Sequence, residues 1–192
     1  MTWLRNGLGG LLRFKGRESS RLFWPWAGLA FALAMVAGGV LMAPTMIASF
    51  ARVERFAAEH PDQVTVTRST NGVTYTFHEP HPELMPDFDG VILGAGVMAA
   101  VLVALLAAAV TRRLHDSGLS GLLGLMPLPF LGVAMSLFPK MMASMMSETP
   151  DMTLFAALFA NNALYMASLG LLVLLLVRKP TPGPNRYGEP AA

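Results

Sequence analysis

Between Asp151 and Arg178 the chain reads MTLFAALFANNALYMASLGLLVLLLV, which is 26 residues without a charged side chain. An α-helix rises about 1.5 Å per residue, so about 20 apolar residues cross the roughly 30 Å hydrocarbon core of a bilayer. Three further gaps of this length lie upstream, with 30, 22 and 23 uncharged residues after Arg21, Asp89 and Asp116 respectively. The pattern therefore predicts four membrane-spanning helices, near Leu22–Ile47, Val91–Val110, Leu119–Phe138 and Leu154–Val177.

The composition favours a membrane protein over a soluble domain. Of the 192 residues, 54% are hydrophobic and 14% are charged, whereas soluble domains carry about 25% charged residues. The sequence contains no Cys, which excludes a disulfide scaffold or a thiolate metal site, and its net charge of +2 offers no broad basic face for nucleic acid. We expect an all-α integral membrane protein with one four-helix domain over residues 1–192 and no nucleic-acid partner.

Basic residues cluster on one side of these predicted spans. That side holds ten of them, and the other side holds four, Arg52, Arg55, Arg68 and Lys140. Because basic residues favour the cytoplasmic side, we expect both termini in the cytoplasm. Residues 1–21 then form a basic leader, either an amphipathic segment on anionic lipid or a flexible leader in which Gly7, Gly9 and Gly10 weaken a helix. Residues 52–89 form an outer loop, and residues 178–192 a cytoplasmic tail. The ten inner basic residues are Arg5, Arg13, Lys15, Arg17, Arg21, Arg112, Arg113, Arg178, Lys179 and Arg186.

The first span is predicted to be a retained helix. A cleaved signal peptide is the alternative, but its apolar region usually has about 7–15 residues, and this span is about twice as long. Trp24 and Trp26 stand at its start, where aromatic residues favour the membrane–water interface.

The outer loop contains a predicted β-hairpin. Apolar and polar residues alternate over Val64–Thr70 and Val73–Phe77, on either side of Asn71-Gly72. Asn-Gly between two such runs is typical of a type I′ turn, in which both central residues have positive φ. A lone hairpin is marginally stable in water, so we expect it to pack on the bundle or on a partner. Residues 78–89 are expected to be extended because of their prolines.

Three motifs fall on the predicted cytoplasmic side. The leader contains F-x-G-R-x-x-x-R-x-F-W over Phe14–Trp24, with Gly16, Arg17 and Arg21. The link between the second and third spans reads RRLHDSGLSG over Arg112–Gly121, and the tail contains N-R-Y-G over Asn185–Gly188. Together they resemble the bacterial inner-membrane family catalogued as domain of unknown function 805. The resemblance implies a small multi-pass protein of the bacterial inner (plasma) membrane and supplies no activity. Leu122-Leu123, where aromatic residues are common, and the long outer loop depart from the family pattern.

The link motif has a structural and a functional interpretation. In the first it is a tight turn, with Gly118 at positive φ, Asp116 or Ser117 capping backbone amides, and Ser120 opening the third span. In the second it belongs to an anion site, because guanidinium groups bind phosphate well. The ligand would be an anionic lipid headgroup or a phosphate-bearing molecule. The residues expected at that site are Arg17, Arg21, Arg112, Arg113, His115, Asp116 and Arg186.

Three functions remain open from the sequence. The favoured one is a non-enzymatic accessory or scaffold protein with this basic site, and no catalytic residue, metal or cofactor is assigned. A small transporter or channel subunit for a neutral solute would use the polar stripe of Asn161, Tyr165 and Ser168. A membrane enzyme would use His115, although adjacent side chains on a helix diverge, so that His115 and Asp116 do not form a ready dyad.

Other patterns have ordinary structural explanations. Small residues at four-residue spacing predict helix packing, with a homodimer or another membrane-protein partner as the alternative. A solvated loop and a Met-rich helix end are favoured over metal binding at two outer clusters. The small residues are Ala30, Ala34 and Gly38, and Gly96, Ala100, Ala104 and Ala108; the outer clusters are His78, Glu79, His81 and Glu83, and Met141, Met142, Met145 and Met146.

Overall fold

The computed structural model describes residues 2–79, 81–84, 88–145, 147 and 149–191. Its contacts separate two units, a first unit of residues 1–37 and 96–192 and a second unit of residues 38–95. The helices are α1 (Thr2–Gly9), α2 (Ser20–Glu59), α3 (Phe88–Asp116), α4 (Leu128–Met145) and α5 (Met152–Val177). The strands are β1 (Val64–Ser69) and β2 (Gly72–Phe77), and short 3₁₀ helices cover Pro82–Leu84 and Gly121–Leu125.

The four predicted spans are confirmed. In the part of the chain that the structure describes, four segments are long and apolar enough to cross a membrane. The third span begins at Gly121, two residues after the predicted start, and α5 ends at Val177 as predicted. Helices α2, α3 and α4 extend past their predicted ends, most of all α2, in which residues 48–59 continue as helix. The reason is that the hydropathy pattern locates the apolar part of a helix, whereas Ala, Arg and Glu continue the helix into polar surroundings. The four segments are Ser20–Glu59, Phe88–Asp116, Gly121–Met145 and Met152–Val177.

The third span begins as a 3₁₀ helix and becomes α-helical at Leu128. The change occurs at Pro127, which has no backbone N–H to donate and is favoured in the first turn of an α-helix; Leu131 N donates to Pro127 O at 3.1 Å. A β-carbon at Gly124 would lie 2.8 Å from Cγ1 of Val110 in α3. This glycine therefore allows the 3₁₀ helix to lie close against α3.

The predicted hairpin is confirmed in the second unit, but its turn differs. Strands β1 and β2 are antiparallel, and Ser69 pairs with Gly72, so that Thr70 and Asn71 form the loop. Gly72 has φ of 145°, and no non-glycine residue in the described chain has positive φ. The predicted type I′ turn at Asn71-Gly72 is therefore wrong. The Ser69 hydroxyl accepts a hydrogen bond from Asn71 N at 3.3 Å and donates one to Gly72 O at 3.2 Å, which fixes the observed turn.

The hairpin packs on the end of α2. The rings of Phe56 and Phe77 lie 6.1 Å apart, and the imidazole of His81 lies 4.4 Å from the ring of Phe56. Val64 of β1 is buried. These contacts give the hairpin the apolar support that an isolated one lacks.

Two histidines between α2 and α3 have local partners. Nε2 of His78 lies 3.0 Å from the Thr65 hydroxyl, and Nδ1 of His81 lies 2.8 Å from a carboxylate oxygen of Glu83. The described residues contain no group of three or more potential metal ligands. Residues 82–84 form a 3₁₀ turn in the segment predicted to be extended. Pro80 and Met85–Asp87 of that segment, and Met146 of the Met cluster, lie outside the described residues.

The core of the first unit lies where α2, α3 and α5 come together. Large apolar side chains fill it, and the Trp26 indole N–H donates to Leu105 O at 3.0 Å. Ala30 and Ala34 are also buried, whereas Ala100 and Ala104 on α3 are exposed. The core cluster consists of Phe23, Trp26, Ala109, Leu114, Leu172 and Leu176.

Candidate functional site

The last turn of α3 carries two fully buried arginines. Arg112 is 1% exposed and Arg113 is 0% exposed, and both belong to the first unit. A buried guanidinium is stable only if charged or polar partners satisfy its donors. The partners of Arg112 and Arg113 come from segments far away in the sequence.

Arg112 holds the leader. Its Nε donates to a carboxylate oxygen of Glu18 at 2.7 Å, and its Nη1 donates to the carbonyl oxygens of Gly10, at 2.6 Å, and Arg13. The backbone N–H of Glu18 in turn donates to Arg112 O at 3.1 Å. A β-carbon at Gly10 would lie 2.7 Å from Nη2 of Arg112, so only glycine leaves room for the guanidinium.

Arg113 holds the end of α5. Its Nε donates to Leu176 O at 2.9 Å and its Nη2 to Arg178 O at 2.6 Å. The last carbonyl groups of a helix have no donor within the helix, and a cation there also interacts favourably with the helix dipole. The remaining nitrogen, Nη1, donates to a carboxylate oxygen of Asp116 at 2.6 Å.

Asp116 joins Arg113 to Arg17. The second carboxylate oxygen of Asp116 accepts from Arg17 Nε at 2.9 Å, and the Arg17 side chain is 1% exposed. Arg17 also donates to the tail, to Thr181 O at 2.8 Å and to Gly183 O at 2.7 Å. We call Arg17, Glu18, Arg112, Arg113 and Asp116 the arginine cluster; it links the leader, α3, the end of α5 and the tail.

His115 lies beside the cluster and contacts the other two motifs. Its Nδ1 lies 3.2 Å from Gly16 O, and its ring stacks on Tyr187 with 3.6 Å between centroids and 6° between planes. The Asn185 side chain donates to His115 O at 3.0 Å. The guanidinium of Arg186 lies 4.7 Å from the centre of the Tyr187 ring, on the exposed surface. All three sequence motifs therefore meet at the end of α3.

The residues of the predicted turn lie next to the arginine cluster, directly after Asp116 in the sequence. Gly118 has φ of +75°, a conformation that favours glycine. Ser120 precedes the 3₁₀ helix, and its side chain accepts from Leu122 N. The Ser117 hydroxyl lies 3.4 Å from Arg178 O, to which it donates.

Burial governs the electrostatics of Glu18. Removal from water raises the pKa of this carboxyl group above its ordinary value of 4.5, and the attraction of Arg112 offsets part of that rise. Three arginines and two carboxylates give the arginine cluster a formal charge of +1 when all five groups are ionised. Both carboxylate oxygens of Asp116 are held by arginines, and His115 faces a backbone carbonyl, so the described contacts bind segments together rather than form a His–Asp pair.

Two arginines of the predicted anion site stay outside this cluster. Arg21 and Arg186 are exposed, together with most of the other basic residues of the leader and tail. Of the acidic residues in these segments, Glu189 is exposed, whereas Glu18 and Asp116 are buried. The exposed basic set, named so from here on, consists of Arg5, Arg13, Lys15, Arg21, Arg178, Lys179 and Arg186.

Sequence reasoning missed Glu18 and Thr181. Glu18 is the single acidic residue among residues 1–21, and an isolated acid in a basic leader is a signal for an internal ion pair. Thr181 gives no such signal, because it contacts the cluster mainly through its backbone: Thr181 N donates to Asp116 O at 2.9 Å, and Thr181 O accepts from Arg17.

Comparison with known proteins identifies a family. No curated protein and no solved structure matches the chain significantly. A family model described as "Protein of unknown function (DUF805)" matches residues 11–189. This range includes the motifs of the leader, the link and the tail, which the structure brings together around the arginine cluster. The chain is therefore a multi-pass membrane protein that belongs to the DUF805 family.

Proposed function

We propose that the protein is a non-enzymatic accessory or scaffold protein of the bacterial inner membrane whose cytoplasmic face binds anionic lipid headgroups. The exposed basic set is the surface that binds. The arginine cluster gives this surface its shape by tying the leader and the tail to α3. The observation that carries the proposal is the division of the basic residues of the leader, link and tail into a buried group paired with Glu18 and Asp116 and an exposed group with a single exposed acid, Glu189.

The exposed basic set suits a phosphate-bearing surface. A basic residue near an anionic leaflet contributes about 1 kcal/mol to its attraction, and the contribution decays within a Debye length. Seven basic side chains on segments next to the ends of α2, α3 and α5 have the number and the location for this role. Headgroup phosphates match both the guanidinium and the ammonium groups among them.

The buried arginines are poor ligands for the same phosphates. Arg17, Arg112 and Arg113 each donate to a carboxylate and to two or more backbone carbonyl groups. A phosphate would have to displace these partners and leave buried polar groups unsatisfied, which is costly. The ligand hypothesis therefore rests on Arg21, Arg186 and the rest of the exposed basic set.

The two other functions have less support. A polar path for a solute needs unused polar groups in the stripe of Asn161, Tyr165 and Ser168. The Asn161 amide donates to Phe130 O at 2.9 Å and the Ser168 hydroxyl to Tyr165 O at 2.7 Å. For an enzyme, Nδ1 of His115 contacts Gly16 O rather than a carboxylate.

Charge reversal tests the proposal. We expect the double variant Arg178→Glu/Lys179→Glu to retain several-fold less phosphatidylglycerol or cardiolipin in native mass spectrometry than the unaltered protein. Both side chains are exposed, so the fold should persist. The matched control is Arg55→Glu/Arg68→Glu, which reverses two exposed basic residues of the second unit. Equal retention in all three proteins would refute lipid binding by this surface. Competition by inorganic phosphate at low millimolar concentration would indicate a soluble phosphate ligand instead.

A further inference from the structure

Between Leu154 and Val177, helix α5 exposes one polar side chain on its surface, that of Asn162. Asn162 stands ten residues after Met152, about 15 Å along the helix, which places it well inside the hydrocarbon core. No described residue makes a hydrogen bond to its amide. Its neighbour Asn161 is buried and donates to Phe130 O of α4, so the two adjacent amides differ sharply in their environment.

An amide facing lipid is unstable without a partner. The hydrocarbon core contains no water to satisfy its two donors and its carbonyl oxygen, and leaving them unsatisfied costs free energy. Asparagine in a membrane helix therefore promotes association with a second helix that can hydrogen-bond to it.

The side chains around Asn162 form a seam with a seven-residue repeat. Phe155 and Asn162 form one series with a seven-residue spacing, and Phe159, Met166 and Val173 form a second series with the same spacing. Steps of four and three residues separate the two series along the helix. All five are exposed, Phe159 most of all at 69%. This spacing keeps one face of a helix against a partner helix along a left-handed crossing. A single polar residue in such a seam fixes the register of the pair.

We propose that α5 forms the interface of a parallel homodimer, in which the Asn162 amides of two copies hydrogen-bond to each other. Two copies inserted with the same topology carry Asn162 at the same depth in the membrane. Asn162 of one copy can therefore pair with Asn162 of the other. An amide is both donor and acceptor and can pair with its own symmetry mate across a two-fold axis. This interface lies on the lipid-facing side of α5 and does not depend on the proposed function.

A cysteine scan tests the geometry directly, because the chain contains no natural Cys. Phe159→Cys and Met166→Cys, in the full-length protein in lipid vesicles, should form disulfide-linked dimers on mild oxidation, since a disulfide needs Cα atoms within about 7 Å. Leu164→Cys and Leu171→Cys are the matched controls: they are also exposed and seven residues apart, but on another side of the helix. Dimers formed equally at both pairs of positions, or at neither, would overturn the proposal.

Replacement of Asn162 tests the role of the amide. Asn162→Leu should weaken self-association of the full-length protein by roughly 3- to 30-fold. Energy transfer between labels attached at Ala191→Cys, in phosphatidylcholine vesicles, measures the association. Asn162→Gln keeps an amide and should retain most of the association. The proposal would be contradicted if the unaltered protein were monomeric at a high protein-to-lipid ratio, or if Asn162→Leu associated as strongly as the unaltered protein. The first of these results would assign Asn162 to a different partner.

Discussion

Arg113 uses all three of its guanidinium nitrogens inside the protein, on Leu176 O, Asp116 and Arg178 O. The sequence predicts this arginine as part of an anion site, since guanidinium groups bind phosphate well. The structure assigns it instead to the end of α5. The planar fork of the side chain matters here, because Lys could not reach three acceptors in these directions.

Glu18 gives the arginine cluster a pH dependence with a definite sign. Burial raises the pKa of its carboxyl group above 4.5 in the folded protein, although Arg112 and Arg13 oppose this. A group with a raised folded pKa binds its proton more tightly when folded. Its contribution to stability is therefore fully present below the unfolded pKa and is lost as the pH rises through the folded pKa.

We expect Glu18→Gln to remove this dependence. The melting temperature of the unaltered protein should fall relative to that of Glu18→Gln as the pH is raised from below 4.5 towards neutrality. Thermal unfolding of both proteins across this pH range measures the difference, and Glu189→Gln, at an exposed carboxyl, is the control. A melting temperature of the unaltered protein that rises relative to Glu18→Gln would show that the attraction of Arg112 outweighs burial.

At the scale of elements, α1 owes its position to two glycines. The sequence suggests that glycines weaken a helix in the leader, but a β-carbon at Gly7 would overlap the Trp26 ring, and one at Gly10 would meet the Arg112 guanidinium. We expect Gly7→Ala to destabilise the docked leader by about 1–3 kcal/mol, the usual cost of overpacking. Faster tryptic cleavage at Arg5 and Arg13 would report the loosened leader.

Gly9→Ala is the matched control for Gly7→Ala. A β-carbon at Gly9 meets nothing within 4 Å, and its φ is not positive. This substitution should leave the tryptic cleavage rate unchanged or lower it, because Ala is the better helix former. Similar cleavage rates for Gly7→Ala and Gly9→Ala would refute the packing of Gly7 on Trp26.

The elements themselves were largely predictable from the sequence, and their contacts were not. Uncharged gaps of membrane length predict the four spans, and alternation over residues 64–77 predicts the hairpin. The turn at Thr70-Asn71 differs from prediction because the Ser69 side chain bonds locally, which outweighs the preference of Asn-Gly. The pairing of Glu18 with Arg112 joins residues 94 positions apart, and no periodicity within a single element encodes such a contact.

For the whole molecule, the net charge of +2 conceals a strong asymmetry. The sequence predicts ten basic and three acidic residues on one side of the membrane, and four basic and nine acidic residues on the other. Burial of the arginine cluster removes three of the ten basic residues from the surface. The exposed basic set that remains is the part of the protein able to meet an anionic leaflet without unfolding the cluster.

Chemical modification of arginine in the unaltered protein tests this division most directly. The protein is treated with an arginine-selective dicarbonyl reagent in phosphatidylcholine vesicles, with and without phosphatidylglycerol, and each site is quantified by mass spectrometry. We predict that Arg21, Arg178 and Arg186 react and are protected by phosphatidylglycerol, whereas Arg17, Arg112 and Arg113 stay unmodified in both lipids. Modification of Arg112 and Arg113 at the rate of Arg186, or protection confined to those two, would contradict the account.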